Sequence, residues 1–269
     1  MKKLLCCVVF AMIVGCGSGG GSDSSNSCSA LKVSNGDNCD AKGSSVVPIV
    51  QVLADGAVGS CSGTVVSPTA ILTAAHCVLS SGAAVTEIAL GTAAGVASTA
   101  NGTITKITYD RRYQVLADGS SLYDYAVIRI GFNAGSPPVP VVGNPDVGPG
   151  QKFTVFGYGL DEDGRSFVDR FNAGDTDALL KAGDMVVSST SSNGLLFEAL
   201  FDSTGRSACP GDSGGPAIIT LHGVSAVAGI VSFGSKANCL SGSFVDFGSV
   251  GSPAVQSFLR GVVPDAQFL

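Results

Sequence analysis

The segment Pro210-Gly211-Asp212-Ser213-Gly214-Gly215-Pro216 places one serine among three glycines, directly after an aspartate. Glycine adopts backbone conformations that other residues avoid, so such a run can turn sharply and bring main-chain N–H groups close to a ligand. Acyl transfer needs an exposed hydroxyl beside converging N–H donors, because negative charge develops on a substrate oxygen as the hydroxyl attacks. Ser213 is therefore a candidate nucleophile. A turn without catalysis is the alternative, and a suitable base elsewhere in the chain argues against it.

The chain contains only two histidines that could serve as that base. An imidazole, with a pKa of about 6.5, can take a proton from serine and return it to a leaving group. His76 lies in Leu72-Thr73-Ala74-Ala75-His76-Cys77, next to a cysteine. His222 precedes Gly223 at the expected tip of a hairpin, which is typical of a solvated turn residue. His76 is the predicted base.

Three aspartates compete for the role of orienting the imidazole from a buried position. Asp124 opens the apolar run Asp124-Tyr125-Ala126-Val127-Ile128. Asp110 precedes two arginines and Asp118 precedes a glycine, so both are predicted to be solvated loop residues. Asp124 is the predicted acid.

Two of these motifs, Thr73–Cys77 and Asp212–Pro216, together resemble the trypsin/chymotrypsin family of serine proteases. The chain order His76, Asp124, Ser213 is also the chymotrypsin order. The resemblance implies that these three residues form a catalytic triad, with an oxyanion hole made by the backbone N–H groups of Gly211 and Ser213. It extends from about Val33 to the end of the chain.

Short valine-rich runs separated by glycine and proline predict an all-β protein with strands such as Val46–Leu53 and Ala70–Thr73. Only the C-terminal segment predicts a helix, with Ser252 as N-cap and Pro253 at its first position. With the resemblance, the expected fold is a trypsin-like double six-stranded β-barrel with a C-terminal helix. The expected parts are a protease domain over 33–261, an N-terminal barrel over about 33–140, a C-terminal barrel over about 150–250 and a helix over about 252–260.

The resemblance also implies a substrate pocket beside the nucleophile. Its members would be Ser207, Ser232, Phe233, Gly234 and Gly242. Ser207 stands at the position where a trypsin-like enzyme carries an aspartate to pair with Arg or Lys. Because serine has no charge and the walls are glycine-rich, the expected preference at P1 is apolar.

Activation by cleavage is a further expectation from the resemblance. Lys32-Val33 resembles the family's activation site, and a new N-terminus at Val33 would pair with Asp212. In the alternative the peptide bond stays intact, and local N–H groups satisfy the Asp212 carboxylate.

The N-terminus is predicted to be a targeting segment. Residues 1–15 begin with Lys2-Lys3 and continue with an apolar run too short to span a bilayer. Ile13-Val14-Gly15-Cys16 resembles a bacterial lipobox, which implies cleavage before Cys16 and lipid attachment to its sulfur; an ordinary secretory signal is the alternative. Residues 16–32 would form a Gly/Ser tether and any propeptide. We expect an exported bacterial lipoprotein at the outer membrane, on its periplasmic face or at the cell surface.

Six of the nine cysteines lie beyond the signal peptide and Cys16, which in an exported chain suggests three disulfides. Sequence alone leaves all fifteen connectivities open. The resemblance implies Cys61–Cys77 and Cys209–Cys239, and Cys28–Cys39 are then left to pair with each other.

Charge and motifs exclude several functional classes. The net charge of −6, without a Lys/Arg cluster, argues against nucleic-acid binding. No cofactor motif or spaced metal-ligand pattern is present, so no cofactor or metal is expected. The expected protein is a monomeric serine endopeptidase that acts on proteins or peptides and binds the membrane through its lipid. One alternative is a catalytically silent surface binding protein with the same fold, and a second is an esterase with the same triad.

Overall fold

The computed structural model describes the backbone of residues 32–39 and residues 43–79, 84–144, 147–160, 164–174, 180–200, 207–235 and 244–269. Regular structure in these residues is almost entirely β, as the β-branched composition predicts. The strands are β1 (Lys32–Cys39), β2 (Val46–Leu53), β3 (Val58–Ser67), β4 (Ala70–Thr73), β5 (Val85–Thr92), β6 (Gly95–Ser98), β7 (Ile104–Tyr109), β8 (Gln114–Val115), β9 (Ser121–Leu122), β10 (Ala126–Ile130), β11 (Lys152–Gly157), β12 (Leu180–Thr190), β13 (Leu196–Leu200), β14 (Pro216–Leu221), β15 (Val224–Gly234) and β16 (Phe244–Ser249).

The N-terminal half forms a seven-stranded antiparallel sheet in the order β6-β5-β2-β3-β4-β10-β7. It curves into a half-barrel around a core of buried aliphatic side chains, among them Ile49, Ile71, Leu72, Leu90 and Ile128. Strands β4 and β10 pair with Ala126 opposite Thr73. This register brings the residues just after β4 close to those just before β10.

The C-terminal half forms a closed barrel of six strands. Its sheet runs β12-β11-β14-β15-β16-β13, and β13 pairs back onto β12 to close the ring. Phe153, Phe197 and Phe247 fill the interior, with ring centroids 4.9 to 5.5 Å apart. Strand β1 adds to the outside of this ring by pairing with β12.

Two α-helices occur in the described residues, α1 (Phe167–Asn172) and α2 (Pro253–Val262). Helix α2 begins as predicted, after Ser252 and with proline in its first turn. Its side chains Val255 and Leu259 are buried in the core of the N-terminal half, so the end of the chain packs against that half. None of the described helices has the length and apolar character needed to cross a membrane.

The fold class predicted from the sequence is confirmed as a trypsin-type arrangement of one closed barrel and one half-barrel sheet. Two predicted strands, Val46–Leu53 and Ala70–Thr73, have the predicted bounds. Strand β1 and helix α1 were not predicted.

Candidate active site

His76 lies in a 3-10 turn, Ala75–Cys77, that directly follows β4. The turn is held from two sides: a disulfide joins Cys77 to Cys61 on β3, and the amide of Gln51 donates to the His76 carbonyl at 3.3 Å. The imidazole side chain is 29% exposed. The backbone at position 76 is therefore fixed, while the ring remains accessible to a substrate.

Asp124 meets this turn because of the β4–β10 register. It lies two residues before Ala126, which pairs with Thr73, and so faces the start of the His76 turn. Its two oxygens hold His76 separately: Oδ1 accepts from the backbone N–H at 2.9 Å, and Oδ2 lies 2.7 Å from Nδ1. Asp124 thus orients both the main chain and the ring.

Burial and mutual charge act in opposite directions on this pair. Burial lowers the pKa of His76, but the charge and hydrogen bond of Asp124 outweigh it and raise the pKa above the ordinary value. Burial likewise raises the pKa of Asp124, yet the charge of His76 and the donors around the carboxylate keep it below its ordinary value. Asp124 is therefore an ionised carboxylate, and it lies next to the His76 imidazole, whose basicity is increased.

Ser213 lies in the loop before β14. This loop packs against β3 and β4, the strands that precede the His76 turn. The Ser213 carbonyl accepts from Ser62 N–H at 2.8 Å. Gly214, with φ of +77°, leaves no room for a side chain because a Cβ would overlap Thr73 Oγ1 and Ser62 O. Among the hydrogen bonds of the described residues, none joins Ser213 Oγ to His76. In unliganded sites such contacts are often longer than in the reacting complex.

The backbone N–H groups of the loop fall into two sets. Those of Asp212, Gly214 and Gly215 donate to carbonyls of Cys209, Val231 and Asp212. Those of Gly211 and Ser213 donate to no acceptor among the described residues. The Gly211 carbonyl, in contrast, accepts from Ser62 Oγ at 2.9 Å, and Gly211 has a φ of +97°. These are the two N–H groups that the family resemblance assigned to an oxyanion hole.

A model of the trypsin family matches residues 33–249 of this sequence. Brachyurin of Leptuca pugilator is 32% identical over 201 residues, which cover 68% of this chain and 79% of brachyurin. The chain belongs to the trypsin family. By that membership it is a serine protease, with proteins or peptides as its class of substrate.

Within this trypsin-family domain, the predicted disulfide Cys61–Cys77 is confirmed, with Cα atoms 6.0 Å apart. Because both sulfurs are in the disulfide, they are not available as thiolate ligands beside His76. Cys209 is disulfide-bonded as well, but its predicted partner Cys239 lies outside the described residues. Cys16, Cys28 and the side chain of Cys39 also lie outside them.

The pocket residues inferred from the trypsin family differ in their surroundings. Ser207 is fully buried and donates to the neighbouring carbonyl of Ala208 at 3.1 Å. Phe233 is half-buried and packs against Gly119, where an added Cβ would lie 3.1 Å from its ring. Gly234 is exposed. Gly242 lies outside the described residues.

Ser232, predicted as a substrate-binding residue, has a second contact that the sequence did not reveal. Its hydroxyl donates to Asp124 Oδ2 at 2.6 Å. Ser62 was also missed: besides its bond to Gly211, its hydroxyl accepts from Tyr158 N–H at 2.9 Å. No local motif marks either serine, because both act through long-range contacts between the two halves.

Among the rival residues, His222 is exposed at the β14–β15 turn, as predicted. Asp118 is exposed as well. The prediction that Asp110 is solvated is wrong, because Asp110 is buried. Its two carboxylate oxygens accept hydrogen bonds from the guanidinium of Arg112. The arginine supplies the hydrogen bonds that make burial of this acid tolerable.

Proposed function

We propose that the protein is an active serine endopeptidase in which Ser213 is the nucleophile, His76 the general base and Asp124 the residue that orients the base. The observation that carries this proposal is the 2.7 Å contact between Asp124 Oδ2 and His76 Nδ1. A proton held on Nδ1 leaves the lone pair of the imidazole on Nε2, the nitrogen that can take the proton of a hydroxyl.

The reaction uses these groups in two stages. Ser213 Oγ attacks the carbonyl carbon of a peptide bond while its proton passes to His76 Nε2. The N–H groups of Gly211 and Ser213 bind the oxygen that becomes negative, and one such donor contributes about 3–4 kcal/mol. As the C–N bond breaks, Nε2 returns the proton to the leaving amine. Water, deprotonated by the same nitrogen, then attacks the acyl-enzyme ester, and Nε2 passes that proton to Ser213 Oγ as the C–O bond breaks.

For the residue at P1 we propose an apolar side chain. The support is Ser207, which offers no negative charge to a basic substrate side chain. A panel of fluorogenic peptides that differ only at P1 tests this preference, and fastest cleavage after Arg would contradict it. Ser207→Asp should increase cleavage after Arg and Lys relative to the parent, because it adds the missing charge.

Covalent labelling by a fluorophosphonate separates the enzyme from a silent binding protein of the same fold. The parent chain and the control Ser225→Ala, an exposed serine on β15, should both be labelled, whereas Ser213→Ala should not. A parent chain that is never labelled would favour the binding protein. Rates on matched amide and ester substrates then distinguish a peptidase from an esterase.

The proposal includes export and lipid anchoring, supported by Lys2-Lys3, the apolar run and Cys16. Membrane fractionation of the parent and of Cys16→Ser tests it. The parent should sediment with the membrane, and the variant should not. Mass spectrometry of the parent should find a lipidated N-terminal cysteine; an unmodified N-terminus would contradict lipid anchoring.

A further inference from the structure

Asp212, the residue directly before the nucleophile, is a fully buried carboxylate. Its Oδ1 accepts from Gly159 N–H and its Oδ2 from Cys209 N–H, both at 2.8 Å. Asp212 also links the loop internally, because its N–H donates to Cys209 and its carbonyl accepts from Gly215. A buried carboxylate is unfavourable unless hydrogen bonds and nearby cations offset the loss of hydration. A cation near the carboxylate should therefore help the loop keep its conformation.

Lys181 on β12 approaches this carboxylate from the sheet. In the β11–β12 ladder it lies directly opposite Gly157, and directly opposed residues point to the same face of a sheet. A Cβ on Gly157 would overlap Asp212 Oδ1, so that face is the one on which the carboxylate lies. Lys181 is only 5% exposed. The side chain of Lys181 is therefore directed to the sheet face on which Asp212 lies, with no side chain at 157 between them.

Arg170 lies on a different element, the helix α1. Helix α1 packs against the Gly157–Gly159 segment through Phe167, whose ring meets Tyr158 edge-on at 5.5 Å. Arg170 is 4% exposed. Burial raises the pKa of Asp212 to about 6, while the two N–H groups, Lys181 and Arg170 all act to lower it. Two buried cations from different elements thus act on one buried acid.

We propose that Lys181 and Arg170 are positioning residues that compensate the charge of Asp212, so that the Gly211–Ser213 loop is catalytically competent before any cleavage after Lys32. In the uncut chain β1 begins at Lys32 and pairs with β12, with Asn38 opposite Lys181. Cleavage at Lys32-Val33 stays a prediction from the family resemblance, and on this inference activity does not depend on it. The inference rests on the proposed function of Ser213.

The first test compares uncut and cut chains. In the full chain, Lys32→Gln removes the predicted cleavage point, and N-terminal sequencing identifies the labelled species. Fluorophosphonate should label this uncut chain at the parent rate. Labelling confined to chains that begin at Val33 would overturn the inference but leave the proposed function intact. If neither form is labelled, the proposed function fails and the inference fails with it.

The second test measures labelling rates of variants in the uncut chain. Lys181→Met should slow labelling about tenfold, because removing one of the two cations leaves the buried Asp212 carboxylate undercompensated. Lys181→Arg restores a cation and should recover most of the rate. Lys152→Met, an exposed lysine on β11, is the matched control and should label like the parent. Equal rates for Lys181→Met and the parent would overturn the inference.

The third test does not depend on activity, so it still distinguishes the outcomes when a variant folds poorly. In the Ser213→Ala background, thermal unfolding is measured for Lys181→Met, Asp212→Asn and the two together. Because Lys181→Met leaves Asp212 undercompensated, its melting temperature should fall, and adding Asp212→Asn should recover part of that loss. Strictly additive losses would show that the two residues are not coupled and would overturn the inference.

Discussion

Ser232 Oγ donates to Asp124 Oδ2 at 2.6 Å, across the boundary between the C-terminal barrel and the N-terminal sheet. The same oxygen of Asp124 lies 2.7 Å from His76 Nδ1. Ser232 therefore belongs to β15 through its backbone and is bound to Asp124 by its side chain. This arrangement couples the position of the imidazole to the C-terminal barrel that carries Ser213.

Ser232→Ala should lower kcat about tenfold with a smaller change in KM, because a hydrogen bond to a charged group is worth roughly 1.5–3 kcal/mol and the backbone of β15 is unchanged. Steady-state kinetics on one peptide substrate measures both constants. Ser225→Ala, exposed on the same strand, is the control and should behave like the parent. An increase in KM alone would assign Ser232 to substrate binding only.

The pH dependence should follow the His76–Asp124 pair. Because the pKa of His76 is raised above 6.5 and the neutral imidazole is the active form, kcat/KM should rise with pH through a value above 6.5. In Asp124→Asn only burial acts on the ring, so the acidic limb should move to lower pH. The maximal rate should fall by about 10⁴-fold, the effect of this change in the chymotrypsin triad. An unmoved acidic limb would contradict the assignment of Asp124.

The sequence predicted those parts of the site that are encoded locally. His76 and Ser213 lie in short motifs, and Asp124 is followed by an apolar strand, so each could be identified within a few residues. The β4–β10 register then brings His76 and Asp124 together. Register depends on pairing between distant segments, and no single segment specifies it.

Other features were not predictable because they depend on contacts between distant elements. Strand β1 is polar and rich in turn-forming residues, and it forms by pairing with the edge of β12. Asp110 is followed by charged residues, yet Arg112 folds back onto its carboxylate and allows burial. Lys181 and Arg170 are ordinary cations in the sequence, and only the barrel places them near Asp212.

The β14–β15 hairpin turns on His222-Gly223, both with positive φ. Two-residue hairpin turns of this kind favour Asn-Gly, since asparagine tolerates the left-handed region better than histidine. His222→Asn should therefore stabilise the protein by about 0.5–1 kcal/mol without changing kcat/KM. Thermal unfolding in the Ser213→Ala background measures the first quantity, and peptide hydrolysis measures the second. A large loss of activity would contradict the assignment of His76, rather than His222, as the base.

Tyr125 links the two halves directly behind Asp124. It is 1% exposed, and its hydroxyl lies 3.0 Å from the carbonyl of Ser249 and 3.3 Å from that of Leu195. Tyr125→Phe should destabilise the protein by about 1–2 kcal/mol, because it removes a buried hydroxyl that donates to these carbonyls. Tyr109→Phe, an exposed tyrosine on β7, is the control and should melt like the parent. Equal melting of Tyr125→Phe and the parent would show that water replaces the hydroxyl.

Asp246 on β16 should make stability depend on pH. Burial, followed by the negative charges of Glu198 and Asp118, raises its pKa from 3.8 to about 6. A carboxyl whose pKa is higher in the folded state favours folding most below 3.8, and this contribution is lost as pH rises to about 6.

Asp246→Asn removes the ionisation that the fold disfavours. In the Ser213→Ala background it should raise the melting temperature above pH 7 and leave it nearly unchanged below the unfolded-state value of 3.8. Glu198→Gln removes one of the two repelling charges while Asp246 remains, so above pH 7 it should shift the melting temperature in the same direction by a smaller amount. Identical shifts at both pH values would assign the effect to packing, because only an ionisation can be switched off by lowering the pH.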